Sequence, residues 1–537
     1  MTVSIEKDSL HTIQKSTVGF FSGTMLSRIS GMCRDISLAF CFGTHEALAA
    51  LFVAFRLTYL ARRLFGEGIL QAAFVPLFEE IRQQDSQRGL YFFRDLAVLW
   101  TLLLLIFSLT TISCINLPLQ FFSLSHSTRE IIFLISIMMP SLIPVCLFGL
   151  NTSFLQCQRR YFLAGVSPLF FNLIIILAAF SLRHYTPTHV MPYLAISIVL
   201  ACVTQWTASF LPIFYRYRSS FHFSRNIQLF SPDLQRIWKP FLLGLIGIGA
   251  SQINNALDAV FARIADPEGP AHLWFSIRFQ QLPLSLFGIA LSGAILPPLS
   301  RAIQTEDTER YHHFLAFGIR QVIALLLPCA AILFLLGMPM INCIYGHGAF
   351  QKEAIVLTTG CLHGYALGLI PMGIIVILAP AFYAKKNYLV PMKGACISLS
   401  LNLILNSVMI FGLGWKAISI SIATSVAAWV NALYLSYMLR KEIGSLLSVP
   451  AHISCLKTGI VTLMASIVLY TSMHLFTTSP LLFQYLPTTT IIPTDFKQQL
   501  FHLFVPLTTF AGALLAFASL LKADDMTQIV SFALSRK

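Results

Sequence analysis

Charge is scarce in this chain. Only 11% of its 537 residues are Asp, Glu, Lys or Arg, against 56% that are hydrophobic. Together with a mean hydropathy of +0.75 and repeated apolar runs of about 20 residues, this excludes an ordinary soluble protein and indicates a polytopic membrane protein. The net charge of +14 therefore does not point to a nucleic-acid partner and has to be read loop by loop. Metal-ligand spacing is missing as well. The 11 cysteines form no CxxC pair and join no His/Cys cluster, so free thiols are expected. There is no phosphate-binding loop ending in lysine, no nucleophile elbow and no HExxH helix, so nothing supports an enzyme. His347, in Tyr345-Gly346-His347-Gly348, reads as a turn residue rather than a base. The segment Met1–Lys15 is polar and mixed in charge, unlike a signal peptide. Long soluble loops are also lacking, which counts against a scaffold that docks other proteins.

What the chain has instead is fourteen candidate spans. They run roughly over 17–43, 47–79, 93–116, 130–156, 163–182, 190–214, 239–264, 271–300, 315–338, 353–383, 390–413, 417–439, 453–474 and 499–521. Spans 2, 8 and 10 exceed the length that a ~30 Å hydrocarbon core needs, so tilt, a kink or extension beyond the bilayer is expected. Pro76, Pro283, Pro297, Pro298, Pro371 and Pro380 offer kink points. With the N-terminus in the cytoplasm, 23 of the 36 Lys and Arg fall on the cytoplasmic face and five on the other. By the positive-inside rule both termini are expected in the cytoplasm.

The two halves echo each other. Shifting Leu51–Ile81 by 222 residues onto Leu273–Ile303 makes ten positions coincide, among them Arg56/Arg278, Phe65/Phe287, Gly66/Gly288 and Pro76/Pro298. Spans 2 and 8 run in the same direction, so the repeat is parallel, with an axis along the membrane normal. The expected fold is all-α and polytopic. It has about 14 transmembrane helices, in two six-helix lobes related by a parallel pseudo-twofold plus two C-terminal helices. The lobes are expected at 1–216 and 239–440, joined by a cytoplasmic connection at 217–238, with 441–537 holding spans 13, 14 and the tail. That connection alternates Arg216, Arg218, Phe221, Phe223, Arg225, Phe230 and Trp238. Two readings stay open for it: an amphipathic piece along an anionic membrane face, or an ordinary positive-inside loop.

The remaining eight basic residues lie within or at the ends of spans, and seven of them fall in spans 1, 2, 7 and 8. A cation at bilayer depth is costly and usually marks a water-filled path or an anionic ligand. Arg28 and Arg34 are six apart and separated by about 120° around their helix, whereas Arg56 and Arg63 are seven apart and share a face. Arg62 flanks them, and Glu67 follows Arg63 at i+4, where it could pair. Some of these arginines could equally snorkel or neutralise Asp35 or Glu67. The carboxylates nearby are too few to neutralise all of them, and arginine's planar fork suits phosphate oxygens. In the second half, Asp258 follows Asn254 and Asn255, span 11 carries Asn402 and Asn406 on one face, and span 12 has Thr424. One carboxylate with amide and hydroxyl oxygens suits a hard monovalent cation. Ordinary hydrogen bonding between helices is the other reading of the same residues.

These residues carry a resemblance. Ser27-Arg28-Ile29-Ser30-Gly31-Met32-Cys33-Arg34-Asp35, Phe52-Val53-Ala54-Phe55-Arg56-Leu57, Leu60-Ala61-Arg62-Arg63-Leu64-Phe65-Gly66-Glu67-Gly68 and Gln71-Ala72-Ala73-Phe74-Val75-Pro76 form its first block. Leu286-Phe287-Gly288-Ile289, Leu296-Pro297-Pro298-Leu299 and Gly348-Ala349-Phe350 follow in order. Over the twelve-span core the chain resembles the MurJ/MviN lipid II flippases of the MOP exporter superfamily. The resemblance implies transport of undecaprenyl-pyrophosphate-linked disaccharide-pentapeptide from the cytoplasmic to the outer leaflet of the bacterial inner membrane, by alternating access. It implies substrate-binding roles for Arg28, Arg34, Arg62 and Arg278, with Arg56, Arg63 and Glu67 beside them. A sodium set at Asp258, Asn402, Asn406 and Thr424 is implied too, with Na+ or the membrane potential as driving force and no other cofactor. Spans 13 and 14 would form a groove for the lipid tail. The expected partners are lipid II, membrane lipids and cell-wall synthesis or division proteins, with the chain a monomer. The chain departs from the usual family pattern at Ala49, Thr58-Tyr59, Ile277 and Asn406, which touch the outer gate and the cation set rather than the substrate class. The alternatives are an exporter of another lipid-linked oligosaccharide and a cation-coupled multidrug antiporter. The latter would favour acidic cavity residues, the reverse of what is present.

Overall fold

The structure is a computed structural model and describes residues 10–478 and 492–527, except 67, 122, 124, 159 and 219–226. Nineteen α-helices and no strand occur among the described residues. The first ten are α1 (Leu10–Phe42), α2 (Glu46–Phe65), α3 (Ile69–Gln84), α4 (Ser86–Phe121), α5 (His126–Met138), α6 (Leu142–Cys157), α7 (Tyr161–Leu182), α8 (Pro187–Tyr217), α9 (Pro232–Gln235) and α10 (Trp238–Ala265). The rest are α11 (Gly269–Pro283), α12 (Ala290–Gln304), α13 (Thr308–Leu335), α14 (Gly337–Tyr345), α15 (Lys352–Ala384), α16 (Leu389–Ser407), α17 (Ile418–Ile443), α18 (Val449–Thr478) and α19 (Phe496–Leu520). The chain is an all-α membrane protein, as its composition demands.

Among the described residues, 11 helical stretches are long and apolar enough to cross a membrane. The expected spans missing from this set are 1, 2 and 7. They are helical as well, but spans 1 and 2 hold five intramembrane arginines and span 7 carries Ser251, Gln252, Asn254, Asn255 and Asp258, and these polar side chains make the three less apolar. The overlong spans resolve differently. Span 2 is interrupted after Phe65 and resumes at Ile69, with Gly68 at φ +80°, a conformation that glycine adopts without steric penalty. Span 8 stays helical but widens into a π-turn over Leu284–Ile289, directly after Pro283. Span 10 is the unbroken 33-residue α15, with Pro371 and Pro380 inside it. A shift of 222 residues lays 62–67 onto 284–289, so both repeats lose regular α-helix at the same Phe-Gly step. Insertions of this kind commonly accompany functional positions in helices.

The chain divides into two compact units, residues 1–260 and 261–537, and the division falls inside α10. In unit 1 an aromatic core gathers Phe74, Phe78, Phe93, Phe154 and Trp100. The Phe74 and Phe92 rings stack at 5.8 Å, and Phe93 lies 4.5 Å from Phe154. Trp100 Nε1 donates to the Phe65 carbonyl at 2.8 Å, satisfying an acceptor freed where α2 ends. The described part of the 217–238 connection belongs to this core. Leu234 and Ile237 are fully buried, Arg88 forks onto Asp233 with both bonds at 2.8 Å, and Arg236 holds Glu80 at 2.8 Å. Phe221, Phe223 and Arg225 lie outside the described residues.

In unit 2, small residues let α15 and α17 approach closely. The Ser425 hydroxyl donates to the Gly364 carbonyl at 2.6 Å, and a Cβ at Gly368 would meet Ser425 Cα at 3.1 Å. α18 and α19 pack against α13 through Ala324, Val461, Ala518 and Met526. Arg320, the one intramembrane arginine outside spans 1, 2, 7 and 8, faces this seam. It lies 3.7 Å from the Asp525 carboxylate, which also accepts from Gln321 and from the Ser454 hydroxyl.

The close approach at Gly66 makes a sharp prediction. A Cβ there would sit 2.9 Å from both Cα and Sγ of Cys146, whereas nothing lies within 4 Å of one at Gly293. Gly66→Ala should lower stability by about 1–3 kcal/mol through overpacking. Gly293→Ala should be neutral or raise it by about 0.5–1 kcal/mol. Thermal unfolding of the purified protein in detergent checks the pair, and equal midpoints for the two variants would refute the packing argument.

Candidate functional site

The arginines of the first block do not share one environment. Arg34, on α1, is largely enclosed, with a side chain 14% exposed. Its Nε and Nη2 donate to Asp35 Oδ1 at 3.0 and 2.7 Å, and its Nη1 donates to Asn172 Oδ1 at 3.1 Å. Asn172 Nδ2 in turn donates to the Ser30 hydroxyl at 2.8 Å and the Ser27 carbonyl at 3.2 Å. One amide on α7 therefore ties down both the arginine and the small-residue face of α1. Arg28 is exposed on the same helix.

On α2, Arg56 is half-buried, Arg62 is half-buried and Arg63 is exposed. Arg62 lies with its guanidinium carbon 4.5 Å from the centroid of the Tyr59 ring, and Arg63 lies 5.5 Å from the same ring. Arg63 also donates to Gln252 Oε1 on α10 at 3.2 Å. Glu67, the expected i+4 partner of Arg63, lies outside the described residues. Arg62 and Tyr59 line a cleft in unit 1 together with Phe55, Thr58 and Phe171. Phe171 is also the ring beneath the Arg34 guanidinium, at 5.9 Å, so Arg34 and Arg62 meet one wall of unit 1. The cleft holds about 20 Å³, room for a single water. In unit 2, Arg278 is half-buried on α11, lies 4.5 Å from the Trp274 ring centroid and donates to Gln281 Oε1 at 3.4 Å.

Three residues of the expected cation set meet within unit 2. Asn406 Nδ2 donates to Asn402 Oδ1 at 2.8 Å, and Asn402 Nδ2 donates to Thr424 Oγ1 at 3.2 Å. These three residues form one hydrogen-bonded chain that runs from α16 to α17, with both asparagines buried. Asp258, 3% exposed, lies on the part of α10 that belongs to unit 1 and accepts from Asn254 Nδ2 at 3.3 Å. The donors are all oxygens, a composition that suits a hard monovalent cation. Such an ion at Asn402 and Thr424 would compete with the amide hydrogens that those oxygens now accept. Among the described residues no three His, Cys, Asp or Glu are grouped closely enough to hold a metal ion.

Sequence reading had not assigned roles to Asn172, Phe171, Tyr59 or Trp274. The signal was present for the last two: an aromatic one turn before an intramembrane arginine, at i−3 for Arg62 and i−4 for Arg278. Asn172 left only a lone amide in an apolar run.

A two-unit, all-helical membrane protein with arginines inside its apolar sequence has the make-up of a polytopic transporter, and solved structures agree on the fold. A structure titled "Lipid II flippase MurJ, inward closed conformation" superposes with a TM-score of 0.74 at 23% identity, over 94% of this chain and 99% of that one. An inward-facing multidrug resistance MATE family transporter of the MOP superfamily gives 0.60 at 15% identity, over 80% and 98%. The sequence goes further. The family model described as "Lipid II flippase MurJ" matches residues 38–490. A probable lipid II flippase MurJ of Chlamydia trachomatis serovar D is 29% identical over 545 residues, 98% of both chains. The lipid II flippase MurJ of Burkholderia cenocepacia is 26% identical over 431 residues, 78% of this chain and 82% of its own. The chain belongs to the MurJ lipid II flippase family.

The Arg34–Asp35 pair yields a test that separates structure from function. Asp35→Asn leaves a nearly buried guanidinium without its counter-charge and should destabilise by about 3 kcal/mol. The double variant Arg34→Met/Asp35→Leu should recover most of that loss, because two apolar side chains replace a desolvated pair. Thermal unfolding in detergent measures both. A double variant no more stable than Asp35→Asn would remove the electrostatic account of the pair.

Proposed function

We propose that this protein carries lipid II from the cytoplasmic to the outer leaflet of the bacterial inner membrane by alternating access. The observation that carries the proposal is the set of arginines embedded in apolar helices of a MurJ family member, present in both repeats. Each guanidinium removed from water raises the energy of the site unless an anion or dipole meets it. A pyrophosphate offers several charged oxygens to the planar N–H forks of arginine. Arg28, Arg34, Arg62 and Arg278 are the residues proposed to hold the pyrophosphate and the peptide carboxylates, with Arg56, Arg63 and Glu67 beside them.

The first lobe is the more cationic, since Leu284 and Ser285 stand where the repeat has Arg62 and Arg63, and it is the lobe proposed to take the pyrophosphate. Arg34 already holds Asp35, so a phosphate reaching it must compete with that carboxylate. The excess of basic residues on one set of loops supports cytoplasmic termini. Na+ at Asp258, Asn402, Asn406 and Thr424, or the membrane potential, is the proposed driving force, and a monomer the proposed unit. The 441–537 region is proposed to accommodate the lipid tail. The chain works as a transporter rather than an enzyme in this reading.

Complementation of a conditional strain at matched expression, paired with translocation of labelled lipid II in proteoliposomes, tests it. Arg62→Ala and Arg278→Ala should each cut translocation about 10- to 100-fold, the loss of one charge-assisted contact. Normal growth and full translocation by both variants would sink the proposal.

A further inference from the structure

Helix α15 runs unbroken for 33 residues, yet between positions 364 and 373 it carries Gly364, Gly368, Gly373 and Pro371. Proline has no N–H, so the Leu367 carbonyl one turn earlier has no helical donor. A backbone acceptor left bare at membrane depth is costly. Here the donor comes from another helix: Trp429 Nε1, on α17, donates to the Leu367 carbonyl at 3.1 Å. Two more carbonyls of the same turn also accept from neighbours. The Ser425 hydroxyl on α17 donates to Gly364 at 2.6 Å, and Gln280 Nε2 on α11 donates to Tyr365 at 2.6 Å.

A missing backbone bond beside three glycines makes this stretch the softest part of a long helix, since sharp bends in helices form at proline and at glycine or serine pairs. Its bonding partners are placed to feel a bend. Ser425 adjoins Thr424 of the proposed cation set, and Gln280 lies two residues beyond Arg278 of the proposed substrate set. The Trp429 side chain is 39% exposed, so its indole can leave the carbonyl without opening the packed core. The bond it makes is exchangeable, whereas a bond within the helix at this point is barred by the proline ring.

We propose that residues 364–373 of α15 form a hinge of the transport cycle, with the Trp429 indole as its catch. Hinges of this kind set turnover more than affinity, because the bend follows substrate capture. Translocation of labelled lipid II by the full-length protein in proteoliposomes, at graded lipid II content, tests it, with thermal midpoints recorded in detergent. Pro371→Ala restores the N–H and stiffens the helix. It should cut the maximal rate about five- to tenfold and leave the half-saturating content within about twofold. Pro371→Gly also restores the N–H but keeps the stretch soft, and should stay within about threefold of the native rate. Trp429→Phe should lower the native midpoint by about 2–4 °C. In the Pro371→Ala background it should lower it by about half as much or less, since Leu367 then has a backbone donor.

A native rate in Pro371→Ala, or equal losses in the alanine and glycine variants, overturns the hinge and leaves the proposed function intact. A Pro371→Ala chain that does not fold shows the proline to serve packing alone and overturns the hinge as well. Midpoint shifts that simply add overturn the catch. The inference rests on the lipid II reading, and a native protein that moves no lipid II overturns both.

Discussion

Holding a guanidinium at membrane depth is the constraint from which most of this structure follows. Desolvating an arginine is costly enough that each one must find a counter-charge, a dipole or a polarisable face. The chain uses all three. Asp35 meets Arg34 and Asp525 faces Arg320 with carboxylates, Gln252 meets Arg63 with an amide oxygen, and Tyr59 and Trp274 meet Arg62 and Arg278 with rings. A carboxylate cancels the charge and leaves a structural bolt, as between α13 and the segment after α19.

The repeat shows what was duplicated and what diverged. Both units interrupt regular helix at the same Phe-Gly step, by a break after Phe65 in one and a π-turn around Gly288 in the other. Cys146 packs where a Cβ at Gly66 would stand, and Trp100 caps the Phe65 carbonyl, so the first break is built into the aromatic core of unit 1. At Gly288 the nearest obstacle is Leu284 on the same helix, a looser arrangement. Arg56 and Arg278 survive as the shared pair, while Arg62 and Arg63 are particular to the first half. The connection beyond α8 docks on unit 1 through Asp233 and Arg236, and its buried Leu234 and Ile237 make it part of that core rather than a tether.

Much of this was legible in the chain itself. Apolar runs near bilayer length, the offset of 222 residues and the arginines inside greasy sequence need only local composition and spacing to be seen. Helical hydrogen bonds are local, and lipid forces every backbone group to be satisfied within its own segment, so the helices follow from the sequence. The Arg34–Asp35 pair was legible for the same reason, since adjacent residues need no fold to meet.

Contacts between distant segments were not legible, because apolar helices offer many equivalent faces and packing alone selects among them. Asn172 reaches Arg34 across 138 residues of sequence, and Asp525 reaches Arg320 from beyond α19. Nothing in the chain distinguished the asparagine that orients an arginine from one such as Asn402, which bonds to Thr424 on the neighbouring helix. The sequence by itself determined an all-helical, duplicated membrane protein with excess positive charge in its apolar interior. Only the tertiary structure decided which side chains meet those charges, because that depends on which group each helix packing brings within a few ångströms of the guanidinium.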